Sequence, residues 1–345
     1  RTAPDTQTTQ KKRISAKKTN MKIRVWAEYF TPKEAMSSKV MKLLKRYDVC
    51  LAIAFPPGSA GVEFAKMMKV YQDKGIEVAL WVLLPDESGY WISERNADEF
   101  SYAVHRIYDW AGKEKFHIPW IAVDLEPPYY QLERIKKAGA AKVLELVRIF
   151  VENIDRPRFY DASRKFEQLQ EFIHSCGSRT LVPVIPPVIE DIVRGTTGVQ
   201  NVLESPVTTV QWDVINFMVY TSMITGYMKR MGVTPADARW YLYTVCSDAK
   251  RILWDRAAVS LGVTYTGKLE NEPYYESPDD LLPDFEAVKA ALIDDVAIYN
   301  LEGIMRSRMP ERWFETLLEA VPSVPERSFK VNVFREIIKY AVRIL

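Results

Sequence analysis

Asp124 and Glu126 stand two residues apart at the end of the run Trp120-Ile121-Ala122-Val123-Asp124-Leu125-Glu126. In an extended strand side chains alternate between faces, so Ala122, Asp124 and Glu126 share one face while Ile121, Val123 and Leu125 share the other. Two carboxylates held that close cannot easily both ionise, and the pKa of one of them rises. A glutamate raised in this way keeps its proton near neutral pH and can deliver it, which is general acid chemistry. An isolated D-x-E pair also occurs where carboxylates only bind an arginine or loop amides; the position at the end of a strand is what favours chemistry. Glu28 ends an earlier apolar run, Asp86 and Glu87 follow another, and Glu302 falls on the last, so each is a candidate base or nucleophile.

Positioning such a pair requires a scaffold, and the chain alternates short apolar runs with longer segments of helical period. Eight strands are expected at Ile23–Phe30, Val49–Phe55, Glu77–Leu84, Trp120–Glu126, Thr180–Ile185, Val214–Tyr220, Val259–Tyr265 and Val296–Gly303. Helices are expected at Val62–Lys74, Ala97–Trp110, Leu132–Asn153, Lys165–His174, Pro235–Arg256, Leu282–Leu292 and Glu311–Ala320. Eight β/α repeats predict a single-domain (β/α)8 barrel, an α/β fold whose active site forms at the C-terminal ends of the strands. Pro183 interrupts the fifth run, and Arg239–Val245 would also suit a strand; the Thr234-Pro235 pair, a good cap and first-turn combination, favours helix there. The first strand turns Trp26 and Glu28 to one face, and the sixth turns Asn216, Met218 and Tyr220, so three strands aim polar groups at one lumen.

The barrel is expected to span residues 21–321. Residues 1–20, with Lys11, Lys12, Arg13, Lys17 and Lys18, read as a flexible basic arm. Residues 322–345 read as a helical extension, since Val331, Phe334, Ile337, Ile338, Ala341 and Ile344 recur at helical spacing, and it is expected to pack on the barrel.

With 47 basic and 45 acidic side chains the chain has no excess field for nucleic acid, and none is expected as a partner. Cys50, Cys176 and Cys246 have no CxxC spacing and read as three buried free thiols. His105, His117 and His174 form no metal-binding pattern, so no metal is expected. No Walker loop, Gly-x-Gly-x-x-Gly run or Gly-x-Ser-x-Gly elbow points to a cofactor or to another enzyme class. No stretch reaches the ~20 apolar residues of a membrane span, and no charged-then-apolar leader opens the chain, which reads as soluble. Compartment and oligomeric state have no signature.

The fourth-strand run resembles the end of the signature of family-18 glycoside hydrolases, the chitinases and endo-β-N-acetylglucosaminidases. Phe217-Met218-Val219-Tyr220 resembles that family's Met-x-Tyr motif, Leu261-Gly262-Val263-Thr264-Tyr265-Thr266-Gly267 its Leu-Gly-x-x-x-Tyr-Gly pattern, and Tyr29-Phe30 its first-strand ending. The resemblance implies Glu126 as general acid and then base, Asp124 orienting a substrate 2-acetamido group, and Tyr220 hydrogen-bonding the acetamido oxygen. It also implies a retaining, substrate-assisted reaction with no protein nucleophile, on an oligosaccharide or polysaccharide containing N-acetylhexosamine.

Ala122 and Thr221 stand where the family has aspartates. The third-strand Ser-x-Gly-Gly and the eighth-strand tryptophan are absent, so the sugar specificity is less closely implied than the class. Aromatics on the active face would stack on sugar rings: Tyr90-Trp91, Tyr129-Tyr130 and Tyr274-Tyr275, with Trp91 and Tyr129 foremost. Trp26, Trp81 and Trp212 suit core and subsite equally. A catalytically silent barrel that binds carbohydrate or a protein, and a muramidase with the same strand ending, are the alternatives.

Overall fold

The computed structural model describes residues 21–138, 142–269 and 271–341. The basic arm expected at 1–20 and the last four residues of the C-terminal extension, Ile344 among them, lie outside the described residues.

Eight parallel strands close on themselves in chain order: β1 Lys22–Ala27, β2 Val49–Phe55, β3 Val78–Val82, β4 Trp120–Ala122, β5 Arg179–Val184, β6 Val214–Met218, β7 Ala257–Gly262 and β8 Asp295–Tyr299. Val25 pairs with Leu51 of β2 on one side and Ile298 of β8 on the other, which closes the (β/α)8 barrel. The expected alternation holds. Ile23, Val25 and Ala27, Ile121, Val123 and Leu125, and Ile215, Phe217 and Val219 all join the core between barrel and helices. Trp26 and Ala122 belong to a second buried cluster inside the lumen.

The lumen is plugged from below. Arg24 makes a two-pronged pair with Asp295, 2.7 Å at each prong, and Lys22, Arg24 and Arg179 each sit 4.4 Å from the Trp120 ring. Above this layer Trp26 Nε1 donates to Ser260 Oγ at 2.9 Å, and that hydroxyl donates to Asn216 Oδ1 at 2.6 Å. Trp81 meets Trp26 edge-on at 5.3 Å. With its lower two layers filled, the barrel has room for a ligand only at the C-terminal ends of the strands.

Several elements differ from expectation, each for a local reason. β4 pairs regularly over only three residues, then continues as single bridges from Leu125 to Ile92 and to Val184. Pro183 is tolerated in β5 because it faces this loosened stretch, where its carbonyl still accepts the Leu125 N–H at 3.1 Å. The helix expected at 132–153 is two, Tyr129–Lys137 and Lys142–Asn153, and the one at 165–174 begins earlier, at Arg156, where the Asp155 side chain caps it. Arg239–Val245 is helical within Pro235–Leu253, opened by a reciprocal Thr234/Asp237 cap with Pro235 in the first turn. Cys50 and Cys246 are buried free thiols, whereas Cys176 is only half-buried.

The C-terminal helix Phe329–Ala341 packs against the barrel's outer helices. Arg335 pairs with Glu190 and Asp248, and Trp240 Nε1 donates to Asn332 Oδ1 at 2.9 Å. Among the described residues no helix is long and apolar enough to cross a membrane.

Candidate active site

A cavity of about 650 Å³ opens at the C-terminal ends of the strands and is lined by Glu28, Trp91, Asp124, Glu126, Met218 and Tyr220 among others. Its volume lies within the range of small-molecule sites. Six of the residues singled out from the sequence therefore share one space, although they come from four β/α units of the barrel.

The acid pair is fixed through its backbone. The Asp124 carbonyl accepts the Ile92 N–H at 2.9 Å and the Glu126 N–H donates to the Ile92 carbonyl at 3.0 Å, so the loop after β3 prolongs the sheet beside β4. That loop is itself held by Asn96, whose amide donates to the carbonyls of Ser88 and Trp91 at 2.8 Å each. Trp91 is thereby locked against the acid pair.

Trp81 Nε1 donates to Asp124 Oδ2 at 3.0 Å, while among the described residues no donor reaches the buried Oδ1. Burial in the lumen pushes Asp124 up to about 8; the Trp81 N–H opposes the rise and the nearby Glu28 charge adds to it. Glu126 is raised well above the ordinary carboxylate range, by burial first and then by the Asp124 charge and hydrogen bond. The two carboxyls thus share a site that keeps a proton through neutral pH, and Glu126 is the partner that holds it. Tyr220, at the head of the Thr221–Met228 helix, is held protonated by burial and by the charges of Glu126 and Asp124, so its phenol remains a donor.

Glu28 belongs to the same constellation. Tyr90 donates to Oε1 at 2.7 Å and Tyr299 to Oε2. Burial raises Glu28 on balance, and the two phenols and Lys268 offset only part of the rise. Tyr90 reaches Glu28 from a backbone with φ of 63° following Gly89 at 110°, a turn that costs about 1–2 kcal/mol for a residue with a Cβ.

Other expected residues lie elsewhere. Tyr129 packs edge-on behind Trp91 at 5.6 Å with Lys268 Nζ 4.9 Å from its ring, and is not part of the cavity wall. Tyr130 is 38% exposed and lies near the Arg95–Glu204 ion pair, away from the cavity. Asn216 is fully buried one layer down, bonded to Ser260. Glu302 is not on β8. That strand ends at Tyr299, Asn300 caps the helix Leu301–Arg306, and Glu302 in its first turn accepts the Tyr29 backbone N–H at 2.7 Å. Of the tryptophans, Trp26 and Trp81 line the cavity, whereas Trp212 packs on Phe166 at 6.0 Å in the outer core.

The structure adds Glu272, Lys268 and Tyr299. Glu272 accepts the Gly267 N–H at 2.6 Å and contributes to the rise of Glu126. Lys268 bridges to Asp86 at 2.8 Å and lies 4.2 Å from the Tyr90 ring. Glu272 and Lys268 come from the irregular loop after β7, where no periodicity marks them. Tyr299 was within reach of the sequence, since it ends an apolar run as Glu28 does. Among the described residues no group of three or more His, Cys, Asp or Glu side chains is gathered as a metal shell.

No protein-family model matches this chain, and no curated protein matches it in sequence. Among solved structures it is similar to the glycoside hydrolase domain of PgaB (BpsB) from Bordetella bronchiseptica, with a TM-score of 0.51 and 10% identity over 86% of this chain and 99% of that one. A D-tagatose 3-epimerase-like protein gives 0.46 and 11% over 87% and 98%. A xylose isomerase domain protein from Planctomyces limnophilus gives 0.41 and 10% over 94% and 97%. At these identities the likeness is one of fold.

Proposed function

We propose that this barrel is a retaining glycoside hydrolase acting on an N-acetylhexosamine-containing glycan. The observation that carries the reading is the Asp124/Glu126 pair: a proton-holding glutamate beside an aspartate with one oxygen that has no partner among the described residues, both on a cavity at the ends of the strands. The likeness to a glycoside hydrolase domain agrees with it at the level of fold.

In this mechanism Glu126 gives its proton to the glycosidic oxygen while the substrate's acetamido oxygen attacks the anomeric carbon and the C–O bond to the leaving group breaks. Asp124 Oδ1 accepts the acetamido N–H and Tyr220 donates to the acetamido oxygen, so the ring that forms is held as charge develops. Glu126, now a carboxylate, takes a proton from water, which opens the ring with a second inversion and therefore net retention. Ala122 removes the buried charge that would otherwise sit below Asp124; here the Trp81 N–H is what holds that carboxylate in place.

Glu28 favours a second route. Its two phenol donors hold a carboxylate on the cavity wall, and a carboxylate so placed can itself attack the anomeric carbon.

The test is hydrolysis of fluorogenic glycosides, run as matched pairs with a 2-acetamido or a 2-hydroxyl group, by wild type and Glu126→Gln. Cleavage confined to the acetamido member, with kcat lowered at least ~100-fold in the variant, is the expected result. Equal cleavage of both members transfers the nucleophile's role to Glu28. Full activity in Glu126→Gln removes Glu126 from the acid's role.

A further inference from the structure

The cavity has two chemically different parts. Around the acid pair, Glu28, Asp124, Tyr220 and Tyr299 offer donors and acceptors to sugar hydroxyls. Beyond Tyr220 the same cavity runs outward past Pro186 and Pro187 into an arm walled by Met223, Ile224, Met228 and Met231 on one side and by Val331 and Phe334 on the other. Those six walls carry no hydrogen-bonding side chain, and Tyr227, on the same helix, and Tyr241, edge-on to Phe334 at 6.4 Å, bring the arm one phenol each. Asp237 and Lys330 stand at the far rim, and Asp237 is already bonded to Thr234 and Ser328.

A second sugar unit in this arm has more hydroxyls than the two phenols can meet, and each one buried without a partner costs roughly five- to 150-fold in affinity. A hydrocarbon would instead gain about fourfold for each methylene taken out of water. The wall is a built feature, since the C-terminal helix that supplies Val331 and Phe334 is anchored by the buried Arg335 between Glu190 and Asp248. Met231 and Phe334 remain 74% and 44% exposed, so the arm ends open to solvent and sets no sharp limit on chain length.

Resting on the reading of Glu126 as the acid, we infer that the arm receives the leaving group, and that the substrate is an amphiphile: a sugar joined through its glycosidic oxygen to an apolar chain. Glu126 must face the bond between sugar and leaving group. The polar lumen on one side of it suits the sugar, and the largely apolar arm on the other suits the chain better than a further sugar.

The test uses the full chain and methyl, butyl and octyl glycosides of N-acetylglucosamine and of glucose, all below their micelle concentrations. Binding is read from fluorescence of the cavity tryptophans Trp26, Trp81 and Trp91, with hydrolysis followed separately. Affinity should rise about fourfold per methylene, and the rise should be largely lost in the double variant Met231→Ser/Phe334→Ser, whose substitutions are both at exposed positions. Affinity independent of chain length overturns the inference. A rise unchanged in the double variant also overturns it, by placing the chain elsewhere on the surface. Chain-dependent binding with no cleavage of any glycoside rejects the hydrolase reading and leaves the arm's occupant standing.

Discussion

Asp124 has two carboxyl oxygens, and among the described residues only Trp81 and Glu126 hydrogen-bond to them. Trp81→Phe keeps the ring's bulk in the lumen but removes that donor, so Asp124 ionises at higher pH. The proposed mechanism needs Asp124 charged, so the acid-side limb of the kcat/KM profile should move to higher pH while kcat/KM at neutral pH falls about tenfold; an unmoved limb would show that the indole serves packing alone. The raised pKa values also predict stability. Asp124 and Glu126 bind protons more tightly folded than unfolded, so stability fully present below an ordinary carboxylate pKa of about 4 is lost as pH rises through the folded values. Glu126→Gln removes one of the two titrations and the repulsion on Asp124. Its melting temperature should exceed wild type by a few degrees at pH 9 and by less at pH 5; a constant offset would count against a shared proton. The pair was legible because a two-residue period needs no tertiary knowledge. Glu272 was not, because a loop residue is placed by its neighbours and not by its spacing.

At the scale of elements, β2 runs from Val49 to Phe55 as read, whereas the endings of the other strands were harder to read than the strands themselves. The run Val296–Gly303 looks continuous, yet Asn300 Oδ1 accepts the Gly303 N–H and starts a helix, which turns Glu302 away from the lumen toward the Tyr29 backbone. An asparagine three residues before a glycine was the available signal, and the apolar run outweighed it. The β7 loop depends on a similar detail. A Cβ at Gly267 would come within 1.8 Å of the Tyr299 hydroxyl and 2.8 Å of Glu28 Oε2, so only glycine lets this loop pass over the site. Gly267→Ala should push Tyr299 off Glu28 and cost about 1–3 kcal/mol in denaturant unfolding, with the proposed glycosidase activity falling alongside. A variant as stable and as active as wild type would mean that the loop yields freely.

For the whole molecule, eight alternations of apolar run and helical period sufficed to read the closed barrel, because parity and count together leave few other ways to bury every strand. The C-terminal helix was legible only as an amphipathic stripe: periodicity gives a helix a face but no address. Its address is set by Arg335, whose side chain is 7% exposed and spans Glu190, at 1%, and Asp248. Removing one member of a buried pair strands the other charge, so Arg335→Ala should cost about 3–5 kcal/mol, whereas replacing both, Arg335→Met with Glu190→Leu, should recover most of it. Urea unfolding of the three proteins measures this. Should Arg335→Ala unfold within ~0.5 kcal/mol of wild type, the helix contributes little to the fold and its placement beside the cavity is loose. If the large loss appears and the double replacement restores it, the barrel and its last helix melt as one unit. The cavity wall supplied by Val331 and Phe334 is then as permanent as the strands that carry Asp124 and Glu126.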